Sequence, residues 1–383
     1  MNAFFLKVLN ISITAGWLVL AVVMLRFVLK KAPKWVHCLL WGLVALRLLL
    51  PFKIESDLSL LPSAEPVQTV SVHDELDAEA QTHSSYEQVV LRSGFAAIDD
   101  AVNPFLEKTT EETDKPGKNT VASIGTAAAW IWFGGVGVML LYAIASYLLM
   151  KYKVRVSIET KRNVFICDDV RSPFILGVIR PQIYLPSGLD EHARAYVLAH
   201  EYAHIRRLDH LWKPFGYLLL SIHWFNPLMW IAFILLSRDI EYACDEKVVS
   251  QLDAEGKASY SDTLLAFSHP HRAIRVCPVS FGEVGVKKRV KSVLQYQKPM
   301  LWIVLTALII GAAVAVCFLT APKPAKAADA RAEAISSDSR LPLPEELTRR
   351  HTRQAEPTET EKKDAPVYLN LQMCADQQCD TAE

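Results

Sequence analysis

Four long apolar windows constrain this chain more than any other feature. They run from Phe4 to Val28, Trp35 to Phe52, Val121 to Met150 and Leu301 to Thr320. Each approaches or exceeds the ~20 apolar residues needed to cross a bilayer core. The third and fourth contain no charged residue, and the second is interrupted by Arg47. Arg47 lies four residues before Pro51, near the end of its window, where snorkelling to the interface is the simplest reading. The first window is not expected to be a cleaved leader. Its basic residues Arg26, Lys30, Lys31 and Lys34 follow the apolar run, and no small-x-small site closes it.

Flanking charge orients these windows. Lys30, Lys31 and Lys34 join the first two, Lys151, Lys153 and Arg155 follow the third, and Lys287, Lys288, Arg289, Lys291 and Lys298 precede the fourth. One threading puts all three clusters in the cytoplasm, with N-terminus and C-terminus outside. The expected fold is therefore an α-helical polytopic membrane protein with four transmembrane helices and a cytoplasmic α+β domain. The expected divisions are 1-52 for the first two spans (4-28 and 35-52), 53-120 for an acidic extracytoplasmic loop and 121-150 for the third span. The cytoplasmic domain follows at 151-300, the fourth span at 301-320 and a disordered outer tail at 321-383. The loop reads as mostly flexible connection, with Tyr86 to Phe95 a short amphipathic piece compatible with helix. The chain has 41 basic and 41 acidic residues. Its basic clusters are short and sit beside apolar windows, where topology and anionic lipid explain them, so no nucleic-acid partner is expected.

The cytoplasmic segment opens with short β-branched runs, Val154 to Ile158, Asn163 to Cys167, Ile175 to Val178 and Gln182 to Leu185, punctuated by Pro and Gly. They predict a small twisted sheet whose edge can accept an extended peptide. Ser187 or Asp190 then caps a helix over Glu191 to Leu208, which has no Pro or Gly. That helix carries His200-Glu201-Tyr202-Ala203-His204, an instance of H-E-x-x-H. Positions i and i+4 share a helix face, so His200 and His204 can offer two imidazoles to one metal. Zinc suits neutral imidazole and tolerates an open position, and Glu201 beside it is placed to act as general base. Two histidines four apart are also common as packed residues, so the reading depends on a third ligand.

His210 lies six residues after His204, a rotation of about 240° on a continuing helix, and would face away. Arg238 to Glu246 forms a second helical stretch in which Glu241 and Asp245 are i, i+4. Glu241 can complete a His-His-Glu site and Asp245 can accept the free ring N–H of a ligating histidine. Alone, that stretch reads as an ordinary charged helix face. Between the helices, the apolar stretch 211-236 is too short for two spans and is expected to be a hairpin turning near Asn226-Pro227, with His223 a turn or packing residue. A donor for the developing oxyanion is also needed, and His210 and Tyr242 are candidates between which the sequence does not choose. The seven cysteines form no C-x-x-C, so a cysteine zinc site is not expected, while Cys374 and Cys379 are close enough in sequence to pair.

HEYAH followed by RRLDH, then HWFNPLMW, then EYACDE, with SPFILGVIRPQIYLP upstream, resembles the BlaR/MecR-type membrane metallopeptidases, a bacterial family of signal-transducing antirepressors. The resemblance covers roughly residues 1 to 320. It implies a gluzincin-type zinc endopeptidase in the bacterial cytoplasmic membrane, with one Zn2+ held by His200, His204 and Glu241, and Glu201 as base. It implies cleavage of a cytoplasmic protein, such as a transcriptional repressor, on an extracellular signal. It also implies self-cleavage near the domain's end, for which Ser280–Phe281 is the candidate bond and a structural turn the plainer alternative. The β-lactam receptors of that family carry a sensor with a nucleophilic S-x-x-K after the last span. Residues 321-383 contain no S-x-x-K, so β-lactam sensing is not expected. A membrane quality-control peptidase and a non-catalytic transducer that keeps the fold remain the alternatives. A homodimer is compatible with either.

Overall fold

Apolar helices form where the windows lie because a lipid-exposed backbone must satisfy its own polar groups. In the computed structural model the described residues are 2–50, 54–55, 59–60, 67–73, 85–91, 99–101, 103–104, 120–267 and 285–321. All belong to one unit, Met1–Ala327. The helices are α1 (Asn2–Val28), α2 (Lys34–Leu49), α3 (Thr120–Lys153), α4 (Glu191–Arg206), α5 (Asp209–Ile222), α6 (Pro227–Val249), α7 (Ala254–Ala266), α8 (Val286–Leu294) and α9 (Leu301–Leu319). Three are long and apolar enough to cross a membrane: Phe4–Val28 of α1, Gly125–Lys153 of α3 and Leu301–Leu319 of α9. The second window differs from its expectation. Its helix begins after Pro33 and stops at Leu49, 16 residues in all, or about 24 Å of rise. Charge at its ends explains its docking. The Lys34 backbone N–H donates to Glu246 Oε2 of α6 at 2.7 Å, an anion at a helix N-terminus. Arg47 donates to the Leu319 carbonyl at the C-terminal end of α9 at 3.3 Å.

The bundle core draws Leu18, Val19 and Val22 from α1, Leu40 and Trp41 from α2, Tyr217 and Leu220 from α5, and Met229 and Ala232 from α6. Helices α5 and α6 follow each other across a short turn, with Tyr217, Leu220, Met229 and Ala232 in this core while Trp212, Leu218, Ile231 and Ile234 are exposed. The turn is made by Asn226, whose Oδ1 accepts the Leu228 N–H at 2.9 Å and whose Nδ2 donates to Ser12 of α1, so one amide caps α6 and pins the tip. Gly135 of α3 is required beside it, because a Cβ there would lie 2.2 Å from the Trp224 indole. Deeper along α6, Asp239 is fully buried. It accepts from the Arg26 guanidinium of α1 and from Trp41 Nε1 of α2 at 2.8 Å. This buried pair locks three helices in register.

The loop between α2 and α3 contains more structure than the composition suggests. Strand β1 (Ile54–Glu55) pairs in parallel with β8 (Thr320–Ala321). Strand β2 (Val67–His73) pairs antiparallel with β3 (Ser85–Leu91) over seven residues. Tyr86 to Leu91 is thus strand and not helix: Tyr86, Val89 and Val90 favour a pleated chain once β2 is there to pair with. Asn10 of α1 bonds both backbone groups of Val67, at 2.8 and 3.0 Å.

After α3 come β4 (Ile158–Lys161), β5 (Val164–Ile166), β6 (Phe174–Leu176) and β7 (Gln182–Leu185), in sheet order β4-β5-β7-β6. The first strand begins at Ile158, not Val154, because α3 continues to Lys153 and buries Val154 against Cys167, Phe174 and Tyr184. The other sheet face packs Val164, Ile175, Ile183 and Leu185 on Val197 of α4. Ile183 and Leu185 are fully buried, a contribution of about 1.5–3 kcal/mol each. The turn into β7 needs Gly177, whose φ is +114° and whose Cβ would meet the Arg180 carbonyl at 2.4 Å. Sheet and bundle thereby fix α4 from two sides. Residues 268–284, with the Ser280–Phe281 bond, and the tail with Cys374 and Cys379 lie outside the described residues.

Replacing Asp239 by Ala leaves the partly buried Arg26 without its counter-ion, and is expected to cost up to about 3 kcal/mol. The detergent melting temperature should drop clearly. The double change Arg26→Met with Asp239→Leu should recover most of that loss, and equal losses in single and double variants would refute the assignment.

Candidate metal centre

Helix α4 buries one face, so the three polar residues on it are placed by packing. His200, Glu201 and His204 are 7, 7 and 1% exposed. The helix stops at Arg206, and Leu208 takes a left-handed φ of 61° before α5 starts at Asp209. This break differs from the helix expected to Leu208, and it redirects the next two side chains. Asp209 turns back so that its Oδ2 lies 2.9 Å from His204 Nδ1. His210 is buried one residue further along, makes no hydrogen bond with the histidines, and leaves its Nδ1 without a partner.

Helix α6 brings the third donor. His200 Nε2 and His204 Nε2 face each other at 3.1 Å, and Glu241 Oε2 lies 3.6 and 3.8 Å from them. Tetrahedral zinc with bonds of ~2.0–2.1 Å spaces its ligand atoms about 3.3 Å apart, so the triangle fits such an ion. Each Nδ1 is answered by acid. His200 Nδ1 lies 3.0 Å from the Tyr260 hydroxyl of α7 and 3.3 Å from Asp245 Oδ1, and Tyr260 donates to Asp245 at 2.7 Å. His204 Nδ1 has Asp209. Both rings are therefore held with N–H at Nδ1 and Nε2 turned inward. Burial acts to lower the His200 pKa, but hydrogen bonds with Asp245 and Glu241 prevail and raise it to about 9. A metal must release that proton when it binds.

Cations complete the site. Burial would raise the Glu241 carboxyl, yet Lys213, His204 and Arg289 together hold it well below its usual range. Lys213 Nζ of α5 donates to Glu241 Oε1 at 3.2 Å. Arg289 of α8 donates from Nε and Nη2 to Asp245 at 2.8 and 2.7 Å. A second donor cluster, His204, Asp209 and Cys244, shares His204. Burial first, then the Asp209 charge, raises the Cys244 thiol well above its ordinary value. It remains protonated and donates to Asp209 Oδ2 at 3.2 Å, so it supports the carboxylate instead of forming a second centre. Tyr242, one residue past Glu241, is half-buried on another face of α6 and bonds to none of these groups. Asp209, Lys213, Tyr260, Cys244 and Arg289 are site residues that the sequence does not single out. Asp209 alone carries a local signal, as the acid that comes just after the helix end.

Tyr260→Phe and Asp209→Asn each weaken the hold on one ring. Each is expected to lower metal affinity about 10–100-fold, measured by chelator competition, and affinities equal to the wild type would contradict the orienting role.

Among relatives of known name, the chain is similar to the regulatory protein BlaR1 of Bacillus licheniformis, 28% identical over 201 residues, which is 45% of this chain and 33% of that protein. It is also similar to the methicillin resistance mecR1 proteins of Staphylococcus aureus and Staphylococcus epidermidis. There the identity is 24% over 154 residues, 38% of this chain and 25% of theirs. The match thus spans a third or less of these relatives' length. The description BlaR1 peptidase M56 matches residues 6–294, which run from α1 to α8 and take in the sheet and the buried donor triangle, and the chain belongs to that metallopeptidase family.

Proposed function

We propose that the chain is a membrane-embedded zinc endopeptidase of gluzincin type with a cytoplasmic active site. In this reading it is a signal-transducing regulatory protease whose target is a cytoplasmic regulator such as a transcriptional repressor. The observation that carries the peptidase reading is the buried triangle of His200, His204 and Glu241, with Glu201 beside it. No described residue pairs with the Glu201 carboxylate, which is 7% exposed, so it is available as a base. The regulatory part of the reading is supported by the name of the Bacillus licheniformis relative.

Zinc, when bound, acidifies water to a pKa of about 7 and polarises a peptide carbonyl. Glu201 accepts the proton as the water oxygen adds to the carbonyl carbon. It returns that proton to the nitrogen as the C–N bond breaks. Asp209, Asp245 and Tyr260 keep the two rings in the tautomer that faces inward, and Lys213 keeps Glu241 ionised.

A four-span arrangement is supported by where the helix ends meet. The α1–α2 turn touches Glu246 near the site, and α3 leads directly into the sheet that carries α4. At their other ends α2 and α9 meet through β1 and β8. The basic clusters beside the α1–α2 turn, the end of α3 and the start of α9 support a cytoplasmic position for the site side. Ser280–Phe281, which lies between α7 and α8 in the sequence, is the bond proposed for self-cleavage.

The experiment uses detergent-purified wild type, Glu201→Ala and Glu241→Ala. Bound zinc and cleavage of casein and of a candidate repressor are measured for each. Wild type should hold about one zinc, Glu201→Ala should keep it while cleaving about 10²–10⁴-fold more slowly, and Glu241→Ala should lose it. Chelation should stop cleavage and added zinc restore it. A metal-free wild type, or a Glu201→Ala variant that cuts normally, would end this reading.

A further inference from the structure

Two cations reach Glu241, and they are not equivalent. Lys213 binds Oε1, the oxygen turned away from the histidines, at 3.2 Å. Arg289 binds the other side: Nη1 lies 3.3 Å from Glu241 Oε2, and Nη2 lies 3.3 Å from His200 Nε2. These are two of the three inward-facing donor atoms. The Arg289 side chain is 11% exposed. Its position comes from α8, where Val293, one turn further on, is buried against Val248, Val249 and Tyr260. Asp245 then fixes the guanidinium at two points, through Nε and Nη2 at 2.8 and 2.7 Å.

A guanidinium has five N–H groups. Asp245 takes one from Nε and one from Nη2, and the other Nη2 N–H and one Nη1 N–H lie along the edge that faces the donor triangle, toward His200 Nε2 and Glu241 Oε2. A rigid cation whose N–H groups already point at the reaction centre needs little reorganisation when negative charge develops there. His210 and Tyr242, the candidates for this task in the sequence, make no hydrogen bond with the donor atoms. We propose that Arg289 is a catalytic residue that donates hydrogen bonds to the oxyanion of the tetrahedral intermediate. This rests on the peptidase reading above. As water adds to the peptide carbon and Glu201 takes its proton, the carbonyl electron pair moves to oxygen, and Arg289 stabilises that charge until the C–N bond breaks and the pair returns.

The test uses full-length, zinc-loaded protein in detergent: wild type, Arg289→Lys and Arg289→Met. Zinc affinity is measured by chelator competition, binding of an N-phosphorylated leucyl dipeptide by calorimetry, and kcat and KM on casein. The phosphoryl group mimics the tetrahedral anion, so it reports the oxyanion contact separately from metal retention. In Arg289→Met, kcat is expected to fall about 10²–10³-fold with KM little changed. Affinity for the phosphoryl dipeptide should fall in parallel and zinc affinity by less than about tenfold. Arg289→Lys should restore part of both, and comparable melting temperatures show that the variants are folded. If zinc affinity falls as far as dipeptide affinity, or if Arg289→Met binds the dipeptide like wild type, Arg289 only positions Asp245 and the proposal is overturned. A wild type that neither holds zinc nor binds the dipeptide overturns the peptidase reading itself.

Discussion

Everything in the site depends on two imidazoles being held 3.1 Å apart in a buried place. Such a contact is unfavourable unless each ring has a fixed tautomer and a carboxylate at its back. The fold supplies one acid per ring from different directions: Asp209 from the break after α4, and Asp245 from α6 with Tyr260 bridging. Glu241 closes the front of the triangle, and Lys213 and Arg289 offset the acids. Removing any one of these leaves a buried charge without its partner, which is why so many helices converge on so few atoms.

Helix α6 is where the bundle and the site become one object. Its first half contributes Met229 and Ala232 to the bundle core, and its second half carries Asp239, Glu241, Asp245 and Glu246. Asp239 is bound by α1 and α2, and Glu246 by the start of α2. Glu241 is the second residue after Asp239, so the residue that binds α1 and α2 and the one that completes the donor triangle share a single helical turn. The sheet does the corresponding work for α4, burying Val197 and leaving the histidine face turned toward α6.

Some of this was legible in the residues. H-E-x-x-H predicts a shared helix face because the 3.6-residue period is local, and His200, His204 and Glu241 do converge. The hairpin was legible from its length: two segments of one site leave room for a return and not for two crossings. Other elements were not legible. The strand at Ser85–Leu91 exists because β2 pairs with it, and a pairing partner does not appear in a local pattern. The helix of the second window is shorter than the window itself, because it starts after Pro33 and ends at Leu49. The helix break at Leu208 uses a residue that gives no turn signal, and the turn of Asp209 back to His204 depends on it.

By itself the sequence determined those features that depend on periodicity, length and chemical type. It set the apolar helices, the sheet before the H-E-x-x-H helix, the inward pair of histidines and an acid four residues from another acid. Tertiary structure decided which long-range partners meet. Tyr260 on α7 and Arg289 on α8 lie 60 and 89 residues from His200, and nothing in their own neighbourhoods marks them. Their roles come from the packing of Val293 and Tyr260 against Val248 and Val249. The physical reason is that helical period and residue chemistry are short-range properties of the chain. The satisfaction of a buried charge is a property of the folded volume, and any segment that packs into that volume can supply it.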